Sequence, residues 1–229
     1  MSKKVLLYSG GVDSWLIDKL WKPDVKLYVD IGTDTSKGEI EHLPKDVTVA
    51  KLRDLHLLER KEDFILPLRN LYLIAMATNY GDEICLGANA TDATLDKTDE
   101  FAAKMSDLLT YMYQPQKWTQ GREIRVVVPF RKYTKGQLLE QYIKEGGDIR
   151  KAYEETWTCF TPNGAIECHA CRACFLKFMA FVENGFDFTK AELDSYRDYL
   201  INKVEDKNYK DRLYSREQVI AAMEFYGIR

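Results

Sequence analysis

Residues 5–14 read Val-Leu-Leu-Tyr-Ser-Gly-Gly-Val-Asp-Ser, and the reading of this run decides the fold. Val5 to Tyr8 are apolar and predict a short buried strand; the glycine pair breaks it, and Ser14 to Trp21 wind into a helix that Pro23 stops. In a parallel sheet, ligands bind where strands end. Gly10 and Gly11 permit positive φ and let the backbone approach a ligand closely. The free N–H groups of the first helical turn, with the helix dipole, favour an anion there. Ser9 and Ser14 add hydroxyl donors. Asp13 suits phosphate poorly and is read as a Mg²⁺ ligand, directly or through water. Two glycines alone would fit a bare strand-to-helix turn. The complete string Ser9–Ser14 points to a phosphate site, distinct from a Walker loop, which needs a lysine, and from the GxGxxG dinucleotide pattern.

Outward from that run, strands are expected at 25–31, 47–52, 83–88 and 124–128. Helices are expected at 68–80, with Gly81 as a C-terminal stop, at 98–112 from Thr98-Asp99-Glu100, and at 134–145, with a Thr cap and Gly146-Gly147 at the end. Further helices follow at 172–184, 189–203 and 216–226, with a polar surface loop at 205–215. Strands alternating with helices imply an α/β fold: a Rossmann-like parallel sheet joined by right-handed crossovers. Residues 1–150 are read as that domain, and 151–229 as a cysteine-bearing, helical C-terminal region.

The bulk numbers fit a soluble globular chain of 229 residues, one large domain or one domain with a small appendage. A net charge of −3 gives no global basic excess, so a protein that coats nucleic acid is not expected. No run approaches the roughly 20 apolar residues needed to span a bilayer. The basic-then-apolar start has only four apolar residues before the Ser-Gly-Gly turn, too few for an export signal. A cytoplasmic location is expected.

Four of the five cysteines, Cys159, Cys168, Cys171 and Cys174, crowd into sixteen residues. In a reducing compartment such a cluster reads as a metal site. Two two-residue spacers bring three sulfurs around one point, and a longer loop, turned by Pro162 and Gly164, brings the fourth. This matches a closed, structural, tetrahedral zinc site, although iron–sulfur clusters also use four cysteines. His169, between two ligands, is expected to point outward, and Arg172 to offset thiolate charge. Cys85, inside a strand, reads as a small buried hydrophobe.

Ser9–Ser14 resembles the PP-motif of the N-type ATP pyrophosphatases (adenine nucleotide α-hydrolase-like enzymes), which adenylate a substrate and release pyrophosphate. Combined with the four-cysteine cluster, it resembles the 7-cyano-7-deazaguanine synthase (QueC) family. Pro67-Leu68-Arg69-Asn70 looks like that family's PxRN helix start, Leu86 to Asp92 like its xGxNxxD strand end, Glu100-Phe101 like the end of its RPEF segment, and Thr156-Trp157-Thr158-Cys159 like TWSC. Thr134-Lys135 matches the lysine opening the helix after the fifth strand. The resemblance spans roughly residues 4–181 and departs from the family at 93–99, at 30–35 and beyond about 185.

The resemblance implies conversion of 7-carboxy-7-deazaguanine and ammonia to the nitrile through adenylated intermediates, with ATP, Mg²⁺ and Zn²⁺, in a homodimer. It implies that Ser9, Gly10, Gly11, Asp13 and Ser14 hold pyrophosphate and Mg²⁺, with the adenine near the end of the second strand at Asp30. Asp13, Lys135 and Arg69 are then the catalytic set, the two cations serving phosphate or adenylate charge. Asn89 and Asp92 are candidates for substrate or metal contact, and Glu100 for accepting hydrogen bonds from a guanine-like edge. Another PP-loop enzyme remains an alternative, acting on a different carboxylate or on a nucleic-acid base. A thiolating enzyme would ask for a reactive cysteine pair outside the metal site, where only Cys85 remains. A zinc-containing nucleic-acid binder is disfavoured by Glu167 and the overall acidity.

Overall fold

The computed structural model describes residues 2–62, 65–161 and 166–228. The opening run lies at the centre of a five-stranded sheet. β1 (Lys4–Leu7), β2 (Val25–Asp30), β3 (Thr48–Lys51), β4 (Glu83–Cys85) and β5 (Arg125–Val127) are all parallel, in the order β3-β2-β1-β4-β5. The sheet is the expected one, with shorter strands. After β4, Leu86 N–H still bonds Val127 O, but Ala88 N–H turns back onto Leu86 O at 2.8 Å, so the chain leaves the ladder although Leu86 and Ala88 stay buried.

The helices are α1 (Val12–Trp21), α2 (Asp34–Glu41), α3 (Arg69–Ala77), α4 (Asp99–Met112), α5 (Lys135–Lys144), α6 (Ile149–Glu154), α7 (Arg172–Val182), α8 (Lys190–Glu205) and α9 (Arg216–Phe225). The sequence reading lacked two of them. α2 has no apolar stripe and carries Gly38 where a β-carbon would sit 3.4 Å from the Trp157 indole nitrogen, so tertiary packing and not periodicity holds it. α6 is six residues long, too short for a period, and is capped by the Asp148 carboxylate on the N–H groups of Arg150 and Lys151.

Two glycine readings separate. Gly146 is left-handed (φ 87), and Gly147 N–H returns to Tyr142 O, a Schellman end for α5. Gly81 does not cap α3. A β-carbon there would lie 2.4 Å from Lys3 O, so its smallness serves the approach of the chain to β1.

Helices cover both faces of the sheet. On one side Val5, Ile74, Ile84, Met105 and Val126 form a core with α3 and α4. On the other, Leu6, Trp15 and Leu138 pack with Phe175, Phe178 and Tyr196, so this core runs unbroken across residue 150. Among the described residues, no helix is long and apolar enough to cross a membrane.

Candidate active site at the carboxyl ends of β1 and β4

The strand order places β2 on one side of β1 and β4 on the other, so the loops leaving β1 and β4 diverge and open a crevice at their carboxyl ends. Ser9–Ser14 enters it after β1. Gly10 is left-handed (φ 80), and Gly11 opens α1 without a side-chain cap, leaving the first amides of the helix for a ligand. Ser14 is buried; its Oγ donates to Gly11 O at 3.1 Å and accepts from Ser9 N–H at 3.2 Å. These bonds hold the loop open instead of letting it wind into α1.

Asp13 faces Lys135, the first residue of α5. Its Oδ2 lies 2.7 Å from Lys135 Nζ, and only 10% of that lysine side chain is exposed. A Thr134–Gln137 capping box fixes the start of α5 and with it the lysine. Asp13 Oδ1 is buried and has no hydrogen-bond partner among the described residues. A carboxylate oxygen withdrawn from water without a donor suits a hard cation, so the residues present fit Mg²⁺.

A second segment closes on the loop. Trp157 N–H donates to Gly10 O at 2.9 Å, and the Trp157 ring stacks on His42 at 3.7 Å between centroids. The flanking backbone is held by Lys177, whose side chain is 2% exposed. Its Nζ donates to Thr156 O at 2.7 Å and to Glu167 at 2.8 Å, while Glu167 also accepts from Thr158 N–H. Burial pulls the Lys177 pKa below its ordinary value, and Glu167 opposes that. The sequence reading missed this bridge. Its one signal was a lysine in the apolar stretch Phe175-Leu176-Lys177-Phe178-Met179.

Glu167 leads directly into the cysteines. The sulfurs of Cys159, Cys168, Cys171 and Cys174 lie within 4.8 Å of one another. Tetrahedral zinc with bonds of about 2.3 Å needs sulfurs about 3.8 Å apart, so this cluster can hold a metal with little adjustment. Amides already point at the sulfurs: Thr161 and Cys168 at Cys159 (3.3 Å each), Ala170 at Cys168 (3.4 Å) and Cys174 at Cys171 (3.5 Å). The Cys174 thiol donates to Cys171 and lowers its pKa to about 4. The expected turn at Pro162 and Gly164 lies outside the described residues. His169 is half-buried against Tyr196, 4.4 Å between ring centroids, and does not point outward. Arg172 turns instead toward Asp211, 3.9 Å away. Cys85 is fully buried, and burial raises its pKa.

The remaining sequence candidates divide. Asp30 is buried, but Gly32 N–H (3.0 Å) and Arg53 Nε (2.7 Å) already occupy its oxygens, which shape the turn after β2. Asn89 and Asp92 stand at the crevice and frame their own loop. Asn89 Oδ1 accepts Thr91 N–H (2.8 Å), Asp92 Oδ2 accepts Asn89 N–H (2.9 Å), and Arg131 forks onto the carbonyls of both. Asp92 Oδ1 pairs with Lys97 at 2.6 Å. Arg69 is exposed at the start of α3, where its charge offsets part of the upward push that burial gives the Glu39 carboxyl. Glu100 lies in the first turn of α4. It is 75% exposed, and an i,i+4 ion pair with Lys104 takes its carboxylate.

Two cavities meet at Thr91. A narrow one of about 60 Å³ is lined by Thr134, Lys135, Glu183 and Tyr214. A wide one of about 920 Å³ is lined by Asp92, Arg172, Lys210, Arg212 and Arg216. Lys210 and Arg212 lie in the stretch that the sequence reading set aside as a surface loop. The only hint was its density of basic residues.

The family model of the queuosine biosynthesis protein QueC matches residues 24–185. The 7-cyano-7-deazaguanine synthase of Marinomonas sp. (strain MWYL1) is 30% identical over 220 residues, covering 80% of this chain and 94% of its own. That of Methanospirillum hungatei JF-1 is 27% identical over 221 residues, covering 80% and 96%. A solved structure of NMN synthetase from Francisella tularensis matches 93% of this chain and 90% of its own, at 16% identity and a TM-score of 0.38, too loose to bear on function.

Proposed function

The chain belongs to the QueC family of queuosine biosynthesis proteins, and from that premise we propose that it converts 7-carboxy-7-deazaguanine and ammonia to 7-cyano-7-deazaguanine with ATP. The observation that carries the ATP half of this reading is the Asp13–Lys135 pair beside the glycine loop. The substrate half rests on the family and on the named relatives.

A carboxylate is a poor electrophile. Attack of its oxygen on the α-phosphorus of ATP expels pyrophosphate and gives an acyl-adenylate. Ammonia then attacks the acyl carbon, AMP leaves and a proton is lost, giving the amide. A second adenylation of the amide oxygen, followed by loss of AMP and of the remaining N–H protons, gives the nitrile. The chain's own part is positioning and charge. The amides of Ser9–Ser14 receive the pyrophosphate end. Lys135 leaves Asp13 for the phosphate oxygens, and the unpartnered Asp13 Oδ1 would hold the cation. Mg²⁺, when bound, offsets the charge of the departing pyrophosphate. Arg69, Asp30, Asn89 and Asp92 belong in this reading to the walls of the nucleotide and substrate sites.

We further propose zinc as the metal of the four cysteines, in a structural role, since all four positions are taken by thiolates. A cytoplasmic homodimer completes the reading.

The test incubates purified protein with ATP, Mg²⁺, ammonium and 7-carboxy-7-deazaguanine; nitrile and AMP are the expected products. Activity on other carboxylates with none on this one would sink the substrate assignment and spare adenylation.

A further inference from the structure

The narrow cavity beside Lys135 encloses about 60 Å³. A water-sized molecule needs about 10–15 Å³, whereas a pocket for an organic ligand runs to about 300–1,000 Å³. Of ATP, 7-carboxy-7-deazaguanine and ammonium, only the last is small enough to enter.

The polar lining suits that ion. Thr91, Thr134, Glu183 and Tyr214 bring hydroxyl and carboxylate groups, against the single amine of Lys135. Their oxygens accept N–H bonds, and ammonium has four such donors to place. The Thr91 hydroxyl gives its own proton to Asn89 Oδ1 at 2.5 Å, which leaves its lone pairs to accept. Lys135 does not repel a second cation, because Asp13 matches its charge at 2.7 Å. In the proposed reaction phosphate takes over that duty.

Glu183 caps the C-terminal end of α7, where the residue as a whole is exposed. Its carboxylate turns inward nonetheless. A β-carbon on Gly136, a buried residue of α5, would lie 1.8 Å from Glu183 Oε2, so the glycine leaves room for this oxygen. Asn184 fastens the turn, its Nδ2 donating to Gly136 O at 3.0 Å. No described cation pairs with Glu183. Leu176 and Leu213 supply the apolar part of the lining. Desolvation raises the Glu183 pKa, and the Tyr214 hydroxyl opposes this only in part. A carboxylate made more basic takes a proton more readily.

Thr91 also lines the wide cavity of about 920 Å³, which has room for a fused ring and carries Asp92 on its wall. A nucleophile freed at Glu183 therefore faces the larger space across one shared residue. We propose that the narrow cavity is the ammonium site and that Glu183 is the base that frees the nucleophile. This inference rests on the adenylation reading. Glu183 takes one proton from ammonium and leaves ammonia with its lone pair. The lone pair attacks the acyl carbon; the C–N bond forms, and the C–O bond to AMP breaks with its electron pair leaving on AMP. The added nitrogen loses its extra proton to water, and Glu183 returns its own to solvent at the exposed end of α7.

Glu183→Gln keeps the size of the side chain and removes the base. In the full chain, kcat/KM for ammonium is expected to fall about 10²-fold or more, the usual share of a general base. Exchange of labelled pyrophosphate into ATP with 7-carboxy-7-deazaguanine reports adenylate formation without ammonium, and is expected to hold. Alkaline medium supplies free ammonia and is expected to narrow the gap between variant and wild type, since Lys135 and Tyr214, the titratable groups that share the cavity, are present in both. Leu213→Trp fills the cavity from its apolar side and is expected to raise KM for ammonium with exchange again intact. An unchanged ammonium dependence in either variant overturns the proposal. So does loss of exchange in Glu183→Gln, which would give the residue to the nucleotide, and so does a gap that stays constant to alkaline pH, which would leave it a structural part. Exchange and nitrile in the wild type beside an unaffected Glu183→Gln refute this inference alone, whereas a wild type that shows neither refutes the adenylation reading.

Discussion

At the scale of single residues, the site is two charge pairs with opposite duties. Asp13–Lys135 keeps 29% of the aspartate side chain exposed, and in the proposed reaction its lysine is exchanged onto phosphate; Lys177–Glu167 is buried and fixes backbone. Asp13→Asn removes the charge and keeps the shape. AMP release is expected to fall about 10²–10³-fold, the usual loss when one preorganised charge leaves an active site, with an unchanged melting temperature. Lys177→Met leaves Glu167 buried and unpaired, and is expected to lose about 3–5 kcal/mol in urea titration. Glu39 gives a pH signature. It titrates near 4.5 when unfolded and higher in the fold, because burial outweighs the Tyr28 hydrogen bond and Arg69. Between those two values the native state holds a proton that the unfolded chain has released, so stability rises as pH falls through that window. The wild type should therefore gain on Glu39→Gln as the medium is acidified toward 4.5, and the gap should be flat above the folded value; urea midpoints across pH would show it. Among residues, the sequence declared those whose chemistry is local. Gly10, Gly11 and the four cysteines announce themselves by spacing. Lys177 and Glu167 act by bridging a loop back onto its own flanking helix, and His42 through distant Trp157, and no motif spacing reveals them.

At the scale of elements, the parallel strands were legible because apolar runs bounded by turn residues leave few other readings. The strand ends were not, since burial continued past Cys85 after the ladder had stopped. α2 was hidden by its composition and fixed by the Trp157 ring. Gly81 was legible as a special position and misread in its reason, because helix caps and tight approaches both select glycine. The two reasons separate by experiment. Gly81→Ala drives a methyl into the Lys3 carbonyl and the Val5 side chain. It is expected to cost about 1–3 kcal/mol by overpacking, measured as a shift in the urea midpoint. A residue acting only as a solvent-facing helix stop would lose less.

At the scale of the whole molecule, the four-cysteine cluster, Lys177 and the glycine loop form one connected piece, running from Cys168 through Glu167 and Thr158 to Trp157 and Gly10. Removing the metal with a chelator is expected to lower the melting temperature and also to weaken ATP binding, even though no cysteine touches the loop. Calorimetric ATP titration before and after chelation checks this, and elemental analysis is expected to find zinc. The unbroken core across residue 150 has a further consequence, for synthesis. Trp15, Leu16 and Leu138 leave the ribosome well before Phe175, Phe178 and Tyr196, the partners that cover them. At translation rates of about 5–20 residues per second, the nascent sheet travels for some seconds with one face bare. Its yield in a cell should therefore depend on chaperones that shield such a face during that interval.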